Sequence, residues 1–187
     1  MLTSSSSRKS ALLIIDLQIG MFNGERLAPI HDGERLLAQA QEALQHARSR
    51  GAPVIHVRHS GPSGHLLEHE TPNWHIHPAI APRTGEKVID KLTPDAFHKT
   101  SLMAYLRAQG VNQLIVLGAQ SEVCVDTTCR RAFSLGFRVG LASDGHSTWD
   151  NRTLTADQII RHTNETLAAW FVHLLRVDEI EDHLRNS

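Results

Sequence analysis

Short apolar runs alternate with amphipathic stretches along most of the chain. Residues 11–16, ALLIID, are almost continuously apolar, as in a strand buried on both faces. Over residues 32–50, Leu36, Leu37, Ala40, Leu44 and Ala47 recur at helical spacing and Gly51 follows as a stop. PVIHVRH (53–59) predicts a second strand, KVIDK (87–91) a third, QLIVLGA (113–119) a fourth and FRVGLAS (137–143) a fifth. A short sixth strand is expected near 176–180. Helices are predicted over 100–109, 121–135 and 155–175, with Gly110 and Gly136 stopping the first two. Only residues 60–86, rich in Gly, Pro and His, show no sustained period, and a loop of that length in a compact domain is usually functional.

Strands alternating with helices mean parallel neighbours joined by crossovers, and hence a sheet covered on both faces. The expected fold is a three-layer α/β/α domain with a central, mostly parallel sheet of about six strands. At 187 residues the chain matches one domain, with residues 1–9 a flexible N-terminal tail and 10–187 a single unit. The net charge of -1 argues against a nucleic-acid partner, whose phosphates need clustered Lys and Arg. The longest apolar run, ALLII, falls far short of the roughly 20 residues of a membrane helix. The polar, Ser-rich start lacks the apolar segment of a signal peptide, so no membrane and a cytoplasmic location are expected. Two cysteines exclude a disulfide scaffold, and the 13 histidines raise the question of which residue type carries chemistry.

Ligands of open α/β sheets bind outside the carboxyl ends of the strands, so polar residues just after each apolar run are the informative ones. Asp16 closes the first strand and Lys91 the third, while the fourth leads through Gly118 to Cys124. Together they suggest a base, a cation and a nucleophile. Each also fits a plainer role: a turn carboxylate, a solvated lysine, a small buried hydrophobe. In the first turn of a helix, Cys124 would have its thiol pKa lowered by unpaired N–H groups and the macrodipole. Cys129, five residues on, lies ~140° around the helix and reads as packing. A buried Asp and a buried Lys relieve one another's cost, which favours the three acting together. If the third strand is not beside the first, Lys91 must use its long stem or a turned-back loop.

Three longer segments, ALLIIDLQ, VIDKLTPDAFHKTSL and LIVLGAQSEVCVDTTCRRAFSLGFRV, followed by SDGHST, resemble the isochorismatase-like cysteine hydrolases over about residues 11–171. The resemblance implies a Rossmann-like fold and an Asp–Lys–Cys triad on Asp16, Lys91 and Cys124. It also implies a cis peptide at Ala119–Gln120 and an oxyanion hole from the N–H groups of Gln120 and Cys124. The activity implied is cleavage of a small-molecule amide C–N bond through a thioester, in a homo-oligomer (dimer or higher) that needs no cofactor. The metal-independent, streptothricin-hydrolase-like branch is the nearest in pattern.

Six histidines (His56, His59, His65, His69, His75 and His77) crowd into 22 residues. The nicotinamidase branch of the resembling family binds a metal here with an Asp and several His, but this chain has Arg58 at the aspartate position and no Asp between Gly33 and Asp90. No metal is therefore expected, and a polar lid is the reading. His56 and His59, spaced along a strand edge, are the first candidates should a metal bind. Trp74 and Trp149 lie in loops at the active edge and are candidate pocket walls, with core packing the alternative. Phe22 is a weaker candidate of the same kind, and Gln18 is a candidate for positioning substrate or Lys91, its alternative being a loop hydrogen bond to backbone. Two rival functions keep the fold: vinyl ether hydrolysis of the isochorismatase type, against which Cys124 weighs, and a non-catalytic α/β oligomer subunit. A nucleotide-binding module would want a Gly-rich turn after the first strand, and Asp-Leu-Gln-Ile-Gly is not one.

Overall fold

The computed structural model describes residues 9–185. Six strands, β1 (Ser10–Ile15), β2 (Val54–His59), β3 (Lys87–Lys91), β4 (Gln113–Ala119), β5 (Arg138–Ser147) and β6 (His173–Leu175), form one sheet in the order β3-β2-β1-β4-β5-β6. All five pairings are parallel. The helices are α1 (Gly33–Ser49), α2 (Leu102–Ala108), α3 (Asp126–Ser134), α4 (Ala156–Ala168) and α5 (Ile180–Arg185). This is the three-layer architecture that the alternating pattern predicts.

The period of two along each strand sorts its side chains between two cores. Leu12 and Ile14 of β1 join Leu36, Ala40 and Leu44 of α1 and Ile180 of α5 on one face. Ala11, Leu13 and Ile15 face the other way, against Leu102 and Leu106 of α2, Cys129 of α3 and Leu167 of α4. Every residue of β1 and β4 is buried, which is why both read as unbroken apolar runs.

Three sequence expectations shift. The helix expected over 155–175 ends at Ala168, because the Phe171 and Val172 N–H groups turn back onto the Leu167 carbonyl and release the chain into β6. The sixth strand is accordingly His173–Leu175, and a 3-10 turn, Val177–Glu179, occupies most of the span where it was expected. The helix expected over 121–135 opens with one π-helical turn, Ser121–Val125, before α3. The N-terminal tail expected over 1–9 lies outside the described residues except for Lys9, whose carbonyl accepts from the Asn112 N–H. Among the described residues no helix is long and apolar enough to cross a membrane.

Strand order reverses between β1 and β4, and at such a point the loops leaving neighbouring strands diverge and open a crevice. Gly118 lets the two strands approach there. It has φ +133°, and a Cβ on it would lie 2.1 Å from the Ile15 carbonyl oxygen. The Ala119–Gln120 peptide that follows is cis, as the resemblance implies.

Candidate active site

Asp16 leaves β1 in the left-handed region, φ 54°, held by its N–H on the Val57 carbonyl at 2.8 Å and its own carbonyl accepting from Gln18 at 2.9 Å. Non-glycine residues there cost on the order of 1–3 kcal/mol and persist where the surroundings fix them. The carboxylate is fully buried. Its Oδ2 lies 2.7 Å from the Lys91 Nζ, which is itself 1 % exposed. The same ammonium donates to the Cys124 Sγ at 3.2 Å and to the Thr93 carbonyl at 3.1 Å. The structure therefore brings Asp16, Lys91 and Cys124 together around one nitrogen.

Lys91 reaches the other two with its stem, since β2 separates β3 from β1. In register Ile15 pairs with Val57, while Lys91 pairs with His59, so Lys91 starts beyond the end of β1 and crosses over β2. Thr128 of α3 steadies the loop after Lys91, accepting from the Ala96 N–H and donating to the Pro94 carbonyl. That contact spans 32 residues and carries no local signal in the sequence.

The electrostatics revise one expectation. Position in the first turn of a helix was expected to lower the Cys124 pKa. Instead burial, and then the Asp16 charge, push the thiol up to about 12 against the opposing pull of Lys91. A thiolate would be a second buried anion beside the Asp16 carboxylate. For Lys91, burial alone would pull the ammonium down, but the Asp16 charge and then Cys124 outweigh it and hold the group above its ordinary value. The resting site is thus a neutral thiol beside a carboxylate–ammonium pair. Cys129 is fully buried and its thiol is pushed higher still by burial. It packs in the core, as the helical phase predicts.

The other candidates fall in different places. Both ends of the Gln18 amide are spent on backbone: Nε2 donates to the His59 and Trp74 carbonyls at 2.9 and 2.7 Å, and Oε1 accepts from the His59 N–H at 2.8 Å. Gln18 ties the ends of β1 and β2 to the long loop, the plainer of its two readings. Trp74 is 7 % exposed, with its Nε1 on the Ser60 hydroxyl, the Arg58 guanidinium 3.4 Å from its ring centre and His69 packed edge-on. It braces the loop from inside. Phe22 packs edge-on to His77. Trp149 lines an open cavity of about 380 Å³ with Leu27, Pro29 and His31.

The histidines do not assemble a ligand set. β2 is an interior strand, not an edge, and His56 and His59 lie three residues apart along it, hence on opposite faces. His56 meets Glu86, which Arg48 clamps through both carboxylate oxygens. His59 packs edge-on to His65. Among the described residues no three His, Cys, Asp or Glu side chains converge as a metal site requires.

Comparison with known proteins gives the family. The isochorismatase domain model matches residues 10–169. A streptothricin hydrolase of Streptomyces noursei is 39% identical over 140 residues, 75% of this chain and 50% of the relative. The chain thus spans about half the length of the curated relatives it matches first. Nicotinamidase 3 of Arabidopsis thaliana is 28% identical, over 96% of this chain and 90% of that protein. The crystal structure of an isochorismatase from Pseudomonas putida KT2440 superposes with TM-score 0.87 at 31% identity, covering 96% of this chain and 93% of its own. The chain belongs to the isochorismatase family.

Proposed function

We propose that this chain is a cysteine hydrolase that cleaves the C–N bond of a small-molecule amide through a thioester, with Asp16, Lys91 and Cys124 as its catalytic groups. The observation that carries this reading is the buried Lys91 ammonium touching Asp16 at 2.7 Å and Cys124 at 3.2 Å. Relatives named as a streptothricin hydrolase and a nicotinamidase support the reaction class.

A neutral thiol is a weak nucleophile, so its proton must leave as the attack proceeds. Asp16 takes that proton while Sγ bonds to the carbonyl carbon, and Lys91 offsets the charge growing on sulfur. The carbonyl oxygen becomes an oxyanion, which backbone N–H groups of Gln120 and Cys124 hold. Cys124 is in the opening turn of its helix, between the Val123 and Val125 N–H groups that donate to the Gln120 carbonyl, and backbone donors fixed in this way are the kind that stabilise an oxyanion. Collapse breaks the C–N bond, and Asp16 returns the proton to the leaving nitrogen. Water then adds to the thioester, giving one proton to Asp16, and the acid departs as that proton returns to sulfur. Trp149 and Phe22 are the proposed pocket walls. Gln18 and Trp74 serve the pocket by fixing the loop that borders it.

The test is a panel of small amides assayed for ammonia or amine release, with Cys124→Ala as control and mass spectrometry for an acyl adduct on Cys124. Release that depends on Cys124, together with the adduct, supports the reading. Undiminished turnover by Cys124→Ala overturns it.

A further inference from the structure

Three polar side chains, two buried and one partly buried, stand behind the nucleophile turn without a part in the chemistry above. Ser121, fully buried, is the first residue of the π-turn that carries Cys124. Its Oγ lies 2.8 Å from the Nδ1 of His146, which is 4 % exposed. The His146 Nε2 lies 2.9 Å from the Oδ1 of Asn164 on α4, and the Asn164 Nδ2 donates to the Ser143 carbonyl at 3.0 Å.

Hydrogen-bond chemistry gives this chain of contacts one direction. The Ser143 carbonyl can only accept, so it fixes the NH₂ end of Asn164 and leaves Oδ1 as acceptor toward His146. The His146 Nε2 must then carry the proton, and the bare Nδ1 accepts the Ser121 hydroxyl. The hydroxyl, histidine and amide resemble a hydrolytic triad in kind. Ser121 is nonetheless no nucleophile, because its sealed position leaves no room for a carbonyl carbon. What the chain does fix is the first residue after the cis peptide, between Gln120 and Cys124. A second clamp from the same strand end, the Thr148 hydroxyl on the Glu122 carboxylate at 2.9 Å, holds the next residue.

We infer that His146 is a positioning residue for Cys124, which Asn164 holds as the Nε2–H tautomer so that Nδ1 anchors Ser121 at the start of the nucleophile turn. This rests on the proposed cysteine hydrolysis. Burial keeps the imidazole below its ordinary pKa, and the neutral form is the one that accepts from Ser121. Asp144 on its own strand pulls the other way, as does the Asn164 hydrogen bond. A cavity of about 140 Å³ borders His146, and His31, Asp32 and Arg35 from the α1 side and Asp157 from α4 face it there. Glu122, on the nucleophile turn, is held by Thr148 instead, and Arg176 sits against Asp144.

Two variants test this. Ser121→Ala removes the anchor; because a misplacement of ~1 Å costs on the order of 10²-fold in rate, kcat should fall by roughly that factor with KM within about threefold. Asn164→Asp keeps an acceptor on Nε2–H but adds a negative charge that favours the imidazolium, whose Nδ1 no longer accepts. That variant should match the parent at about pH 8.5 and lose kcat progressively toward about pH 6, where the parent does not. Urea midpoints verify that both are folded. The rate of Cys124 alkylation by iodoacetamide, followed against pH by peptide mapping, should show the same added acid limb in Asn164→Asp. Ser121→Ala with kcat within twofold of the parent, or Asn164→Asp profiles that superimpose on the parent's, overturn the inference. A Cys124→Ala variant as active as the parent instead overturns the hydrolysis reading, and the alkylation profiles then still decide whether His146 governs Cys124.

Discussion

Replacing Lys91 by Met removes the charge that accompanies Asp16 and keeps most of the stem volume. Asp16 and Lys91 are fully buried and 2.7 Å apart, so the variant leaves a carboxylate in the interior with no compensating charge from Lys91. Breaking a buried pair from one side costs about 3–5 kcal/mol, mostly the desolvation of the charge left behind. For a chain of this size that corresponds to a melting point lower by roughly 6–20 °C. Asp16→Asn alone should cost a similar amount, since it strands the ammonium. The double variant, Asp16→Asn with Lys91→Met, strands neither charge, and its loss should fall short of the sum of the singles by about 2 kcal/mol or more. Urea unfolding at neutral pH, with unchanged m-values, gives the three free energies. Single losses below about 1 kcal/mol, or strict additivity, would refute the reasoning from a buried, mutually dependent pair.

Cys124 and Cys129 should separate sharply under iodoacetamide: Cys124, partly exposed, labels in the native protein, and Cys129, fully buried, labels only after unfolding. Because the Cys124 thiol is held up at about 12, its native labelling at neutral pH should be slower than that of an unfolded-chain cysteine, and faster labelling would contradict the neutral resting thiol. Gly118→Ala should destabilise by on the order of 4 kcal/mol, combining strain at φ +133° with the clash on the Ile15 backbone; thermal melts check it, and a loss under 1 kcal/mol would contradict the close approach of β1 and β4. Acid should weaken the fold in two stages, read from urea midpoints against pH. His56 and His146 are both held below their ordinary values, mainly by burial, so the native state binds fewer protons than the unfolded chain and stability falls as pH drops below about 6.5. Glu86 is brought down to about 2 by Arg48 and the Arg83 N–H despite its burial, and its contribution, present above the ordinary 4.5, is lost as pH falls toward 2. His146→Gln or His56→Gln should flatten the first stage, and an unchanged slope in both would refute that assignment.

Much of the candidate site was legible because its residues follow apolar runs. Asp16, Lys91 and the Cys124 turn each lie at or just beyond the carboxyl end of a strand, and a parallel sheet collects those ends on one edge. Helical phase was enough to tell Cys124 from Cys129. The groups behind them were not legible. Thr128, Ser121, His146 and Asn164 act through contacts between distant elements, and their spacing in the sequence follows no period. The end of α4 is not legible either, because Trp170, Phe171 and Val172 continue an apolar pattern that a turn onto Leu167 interrupts.

The sequence by itself determined the layers and the chemistry on offer: hydrophobic period sets which segments are strands and helices, and a charged residue ending a buried run must meet a partner or solvent. Tertiary structure alone decided which partner. It carried Lys91 across β2 to Asp16, spent Gln18 and Trp74 on the loop, and put His56 and His59 on opposite faces of an interior strand. It also reversed the direction of the Cys124 pKa. A helix terminus acts locally and can be read from position, whereas burial and a carboxylate on another strand are properties of the packed molecule, and they push the thiol up.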